Sequence, residues 1–176
     1  QTGVLGAKNL VQNTATSKTV NGVTFTVNDD GSVTANGTAT ANTDYIVCSN
    51  AALKSGLEEN KSYIFTTGIQ YGVTANITIR YTDSNLKYIF NENIFKATSA
   101  IRNSGVVCWW INSGTTVSSL TFYPMIRLAS DPDDTYQPYA MTNRELTEKK
   151  ISIADLQTVT AAASDFADFQ TRIAAL

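Results

Sequence analysis

Apolar and polar side chains alternate through Val23-Thr24-Phe25-Thr26-Val27, and a period of two places Val23, Phe25 and Val27 on one face of an extended strand. Asn28-Asp29-Asp30-Gly31-Ser32 follows, turn chemistry in which Gly31 takes positive φ at little cost. Val33-Thr34-Ala35-Asn36-Gly37-Thr38-Ala39-Thr40 then alternates again. The pair predicts a β-hairpin with one buried face. Further runs rich in β-branched and aromatic residues, Ser62 to Thr67, Thr74 to Thr82, Lys87 to Phe90, Gly105 to Asn112 and Val117 to Leu128, predict more strands at the spacing of an antiparallel β-sandwich. No helix signal is expected before the last fifth of the chain.

Composition changes after Asp131-Pro132-Asp133-Asp134 and Tyr136-Gln137-Pro138-Tyr139. Thr142 with Glu145, and Ser152 with Asp155, have capping-box spacing, and a continuous helix is expected from about Ile153. On it Leu156, Val159, Ala163, Phe166, Gln170 and Ile173 step by three and four, and Ala162, Phe169 and Leu176 widen the same apolar stripe. Such a stripe must be covered, either by its own sandwich or by copies of itself. The heptad-like run is short, about three heptads, but its breadth suits three helices better than two, because each must touch two neighbours. A homotrimer of coiled-coil type, with Gln170 as a polar register layer, is therefore the favoured expectation. The expected organisation is an arm or linker over 1–18, an all-β sandwich over 19–140 and a helical oligomerisation segment over 141–176.

Hydrophobic residues make up 43% of the chain and charged residues only 16%, which fits a folded protein with a neutral, hydrogen-bonding surface of Thr, Asn and Ser. The net charge of -2 carries no run of like charges, so no nucleic acid partner is expected. No apolar stretch approaches the roughly 20 residues of a membrane span, so no membrane insertion is expected either. The opening Gln1-Thr2-Gly3-Val4-Leu5-Gly6 lacks the regions of a signal peptide and suggests a piece of a larger polypeptide. Cys48 and Cys108 each sit in an apolar strand-like run and are expected as buried free thiols, with a bridge between them left open.

Histidine is absent, which removes the Ser-His-Asp triad and His-ligated metal sites. No phosphate-cradling loop or dinucleotide fingerprint occurs, so no cofactor is expected. Carboxylates alone can cleave glycosidic bonds, but Glu58-Glu59, Asp29-Asp30, Asp83 and the Asp131, Asp133, Asp134 group fall in expected turns, where they serve local hydrogen bonding. The same aspartate loop offers hard oxygen ligands for calcium but matches no EF-hand spacing, and a solvated loop is expected. The expectation is a protein that is not an enzyme, with no metal site.

Candidate binding chemistry lies on two strands. Trp109 and Trp110 are adjacent, so one should face the core and the other outward, where an indole stacks on a sugar. In Ala75-Asn76-Ile77-Thr78-Ile79-Arg80-Tyr81 the apolar set Ala75, Ile77, Ile79 and Tyr81 leaves Asn76, Thr78 and Arg80 as a polar row that can hydrogen-bond sugar hydroxyls. Trp109, Trp110, Asn76, Thr78 and Arg80 are thus the candidate glycan-binding residues.

Lys8-Asn9-Leu10 followed by Thr19-Val20-Asn21-Gly22-Val23-Thr24-Phe25-Thr26-Val27-Asn28-Asp29-Asp30-Gly31-Ser32-Val33-Thr34-Ala35-Asn36-Gly37-Thr38-Ala39 resembles the opening of a domain in tail proteins of phages and prophages of Gram-positive gut bacteria. Leu120-Thr121-Phe122-Tyr123-Pro124-Met125-Ile126 and Tyr136-Gln137-Pro138-Tyr139 resemble its closing strand and tail, and the two ends bracket residues 8–139. The segment from Met141 to Lys149 is similar to the linker by which such domains feed into trailing helices. The resemblance implies a jelly-roll sandwich similar to carbohydrate-binding modules, often displayed in threes, on tail fibres, baseplates or minor tail proteins. The expectation is accordingly a non-catalytic virion structural protein, extracellular when it functions, whose partners are its own copies, other virion proteins and host cell-surface glycan. The alternative is a monomeric carbohydrate-binding module of a bacterial surface or secreted protein.

Overall fold

A computed structural model describes residues 9–68, 75–90 and 93–139, together with Ala161, Asp168 and Arg172. The chain divides into two compact units, Gln1–Thr142 and Asn143–Leu176. The first is built of antiparallel strands: β1 (Lys18–Val20), β2 (Val23–Val27), β3 (Val33–Thr38), β4 (Thr43–Cys48), β5 (Ser62–Thr66), β6 (Ala75–Asp83), β7 (Asn85–Phe90), β8 (Ile94–Lys96), β9 (Val106–Ile111), β10 (Thr116–Phe122) and β11 (Met125–Leu128). They form sheets of order β1-β2-β3-β10, β11-β5-β8 and β4-β9-β6-β7.

The alternation read from the sequence decides which faces meet. Val23, Phe25, Val33, Ala35 and Phe122 point inward from the first sheet, and Tyr45, Val47, Ile77, Ile79, Val107, Trp109 and Ile111 from the third. The rings of Phe25 and Tyr45 stack across the gap, with centroids 4.1 Å apart and planes 3° from parallel. Trp109 fits edge-on between Phe25 and Phe122, at 5.7 and 5.6 Å. Sheets facing each other over one aromatic core are compatible with a β-sandwich. The expected hairpin forms, Val27 pairing with Val33, and Gly31 takes φ 81° in its turn. A second hairpin joins β1 to β2 through Asn21-Gly22, both at positive φ, where a side chain at Gly22 would collide with the Thr38 carbonyl.

Two expectations are corrected, that of helices only in the last fifth of the chain and that of a single strand over Val117 to Leu128. Helices occur well before the last fifth of the chain: α1 (Asn50–Gly56), capped by the Ser49 hydroxyl, and α2 (Ser99–Ser104), capped by that of Thr98. They are held to each other because the Asn50 amide donates to the carbonyls of Arg102 and Gly105, which a helix end otherwise leaves unpaired. The run Val117 to Leu128 is two strands, since Pro124 has no N–H to donate and the chain passes there from the first sheet to the second. Asn9, Leu10 and Val11, expected in an arm or linker, are buried in the fold. The bridge left open between the cysteines does not form: Cys48 points into the core and Cys108 is buried on the opposite face of the same sheet, both as free thiols.

In the second unit Ala161, Asp168 and Arg172 are helical, and the Arg172 guanidinium donates to Asp168 at 2.9 Å across one turn. The stripe of Leu156, Val159, Ala163, Phe166, Phe169, Ile173 and Leu176, with Gln170, lies outside the described residues.

Candidate functional site

The outer face of the sheet β4-β9-β6-β7 brings polar and aromatic side chains into rows. Antiparallel register sets Asp44 beside Trp110 and Trp110 beside Asn76. One row further, Ile46, Cys108, Thr78 and Phe90 lie in line, and beyond them Val106, Arg80 and Tyr88. Because the period of two sends Ile77, Ile79, Val107 and Trp109 to the core, everything between them in sequence faces away from it.

These rows enclose a depression of about 220 Å³ lined by Asn76, Thr78, Arg80, Tyr88, Phe90, Cys108 and Trp110. Its floor is the polar strip of β6 with the Cys108 thiol. One wall is Trp110 on β9, and the other is Tyr88 and Phe90 on β7, whose rings lie 6.3 Å apart. The walls stand two strand spacings apart, about 10 Å. The volume falls below the roughly 300–1,000 Å³ of sites that engulf a drug-sized ligand, so this is a shallow seat for one ring.

Electrostatics leave the seat without net charge. The Arg80 guanidinium reaches across β9 to the Asp44 carboxylate. Partial burial alone would lower the Arg80 pKa, but the hydrogen bond and charge of Asp44 outweigh it and hold it raised. The other Asp44 oxygen, Oδ1, is buried and accepts no hydrogen bond of ordinary geometry among the described residues, although Cys108 is near enough to feel the charge. Burial pushes the Cys108 thiol up, against the lowering pull of the Thr78 hydroxyl, which lies 3.7 Å from its sulfur, and of Arg80. The Trp110 indole N–H donates to Asn112 Oδ1 at 2.8 Å, which fixes the ring and leaves its faces for contact.

Of the candidate glycan-binding residues, Trp110, Asn76, Thr78 and Arg80 therefore converge. Trp109 does not: it is fully buried in the core, and no ligand reaches it. Tyr88, Phe90 and Cys108 were not anticipated. The signal for the two aromatic residues was Asp83-Ser84-Asn85, a tight turn with Ser84 at φ 60° that sets Arg80 opposite Tyr88 and Thr78 opposite Phe90.

The carboxylates weighed as acid and base candidates lie elsewhere and apart. Glu58 pairs with Lys61, Asp83 with Lys87, and Glu59 with Arg102 at 3.8 Å. Asp30 accepts from Ser32 within its turn, and Asp131 and Asp133 accept the backbone N–H groups of Asp133 and Thr135. Comparison with family models, curated proteins and solved structures returns no match to this chain.

Proposed function

We propose that residues 9–139 are a non-catalytic glycan-binding module of jelly-roll type, carried by a phage tail fibre, baseplate or decoration protein and presented to host cell-surface glycan at the virion. One observation carries the reading: Trp110, Asn76, Thr78 and Arg80 share an uncharged depression with Tyr88 and Phe90. A sugar ring has an apolar face and an equatorial belt of hydroxyls. Aromatic walls meet the first and a strip of amide, hydroxyl and guanidinium groups meets the second. The two segments that carry the resemblance to phage tail domains meet in the fold, where Asn9 donates to the carbonyls of Pro124 and Gln137. The C-terminal segment supplies a helix that gathers three copies, which multiplies weak single-site contacts through avidity.

The test is a glycan array probed with the intact chain and with Trp110→Ala. Binding that disappears in the variant supports the reading, and no binding, or binding indifferent to Trp110, ends it. Light scattering separates the versions of the reading: three times the chain mass fits the virion assembly, and a monomer fits a carbohydrate-binding module of a bacterial surface or secreted protein.

A further inference from the structure

Among the described residues two buried apolar side chains stand outside the main core cluster, Cys108 and Met125. Cys108 floors the depression described above. Met125 floors a second cavity, of about 290 Å³, lined also by Thr66, Gly68, Tyr123, Asp134 and Tyr136. Register explains the floor: Thr66 pairs with Met125 while their neighbours Phe65 and Ile126 pair and enter the core, so Thr66 and Met125 share the outer face of the sheet β11-β5-β8.

The walls are the rings of Tyr123 and Tyr136, with centroids 5.1 Å apart and planes inclined at 65°. Both are fixed. Tyr123 packs against Gly68, where a side chain would come within 3.0 Å of its ring, and the Tyr136 hydroxyl donates to the Asp30 carbonyl at 2.8 Å. Of the aspartates in the loop above, Asp131 and Asp133 hold turns and Asp134 lines the cavity. No base among the described residues lines it: Arg127, two residues along the same face of β11, turns its guanidinium to the Asp131 carbonyl.

We propose that this cavity is a binding site for an alkylammonium group. Aromatic faces carry negative potential, and two inclined rings with one carboxylate at the rim favour a cation whose methyl or methylene groups fill an apolar, polarisable floor. The contrast with the first depression is chemical. There an amide, a threonine and a neutralised arginine offer several hydrogen bonds to hydroxyls. Here the Tyr136 hydroxyl is already committed and Thr66 supplies the neutral polar contact, too little for a sugar but sufficient for a cation that needs charge and surface.

The experiment uses the intact chain labelled at the methionine methyl groups, with the Met125 resonance assigned by Met125→Leu. Choline chloride is titrated against 3,3-dimethyl-1-butanol, its uncharged isostere, and against methyl glucoside, at matched ionic strength. The expected result is a saturable shift of the Met125 signal with choline alone, weakened about tenfold by Asp134→Asn and by Tyr123→Leu and retained in Tyr123→Phe. An equal response to the uncharged isostere, a response to the glucoside, no response at all, or choline binding indifferent to Asp134→Asn overturns the proposal. Asp134 is exposed, so its substitution tests the site even if Tyr123→Leu disturbs the fold.

Discussion

Trp109 and Trp110 are consecutive and occupy opposite environments: Trp109 is fully enclosed between Phe25 and Phe122, while Trp110 lines the outer depression beside Asn76. The strand's period of two is the whole cause. Their substitutions should therefore separate stability from binding. Trp109→Ala removes the largest fully buried side chain and should cost about 3–5 kcal/mol. Its indole N–H is buried without an acceptor among the described residues, so Trp109→Phe should cost much less than the lost volume suggests. Trp110→Ala should change stability by less than about 1 kcal/mol and abolish glycan binding. Urea midpoints and array binding measured on the same samples check all three.

Asn9 is buried and uses its whole side chain. Its amide donates to Pro124 and Gln137, and its oxygen accepts from the backbone of Val11 and Ile126. Asn9→Leu leaves those groups unpaired in a buried setting and should destabilise the unit by about 2–4 kcal/mol. A fall in the urea midpoint with an unchanged slope is the expected signature.

The Tyr136 phenol gives the stability a defined alkaline limit. Burial first, then the charges of Asp30 and Tyr123, push it from its ordinary 10.0 up to about 12. Between those values the unfolded chain has released a proton that the folded chain still holds. Its contribution is therefore fully present below pH 10.0 and is lost as the pH rises towards about 12. Tyr136→Phe should lessen the fall in stability across that window, although it also removes the hydrogen bond to Asp30 at every pH. Denaturation midpoints followed through the window give the comparison.

Both thiols should be inert in the native protein. Burial pushes Cys48 from 9.0 to about 12, against a smaller lowering by a backbone hydrogen bond from Gln12, and Cys108 is also raised. A chromogenic disulfide reagent at neutral pH should find neither thiol in the folded chain and both after unfolding in urea. Rapid reaction of one thiol before unfolding would show that Cys108 is within the reagent's reach through the depression.

Alternation made β2, β3 and β6 legible, and with them the outward row Asn76, Thr78 and Arg80, because each strand has one wet and one dry face. Length hid α1 and α2: at 7 and 6 residues neither completes the repeats that a helical period needs, and both rest on single caps, Ser49 and Thr98, without an acidic residue in the first turn. The join at Pro124 was hidden because the apolar pattern continues through it while the hydrogen-bond partners change. The aromatic wall of Tyr88 and Phe90 depends on the register that the turn at Ser84 imposes on β6 and β7, which a period within one strand does not encode.

The contact between Asn9 and Gln137 also has a mechanical side. The unit's first and last described segments meet at one corner, so a load applied between those two segments falls on that corner and not along the strands. Tension along the polypeptide would load that corner first. A few hydrogen bonds would bear the pull, and the paired strands and the surfaces they display would be spared.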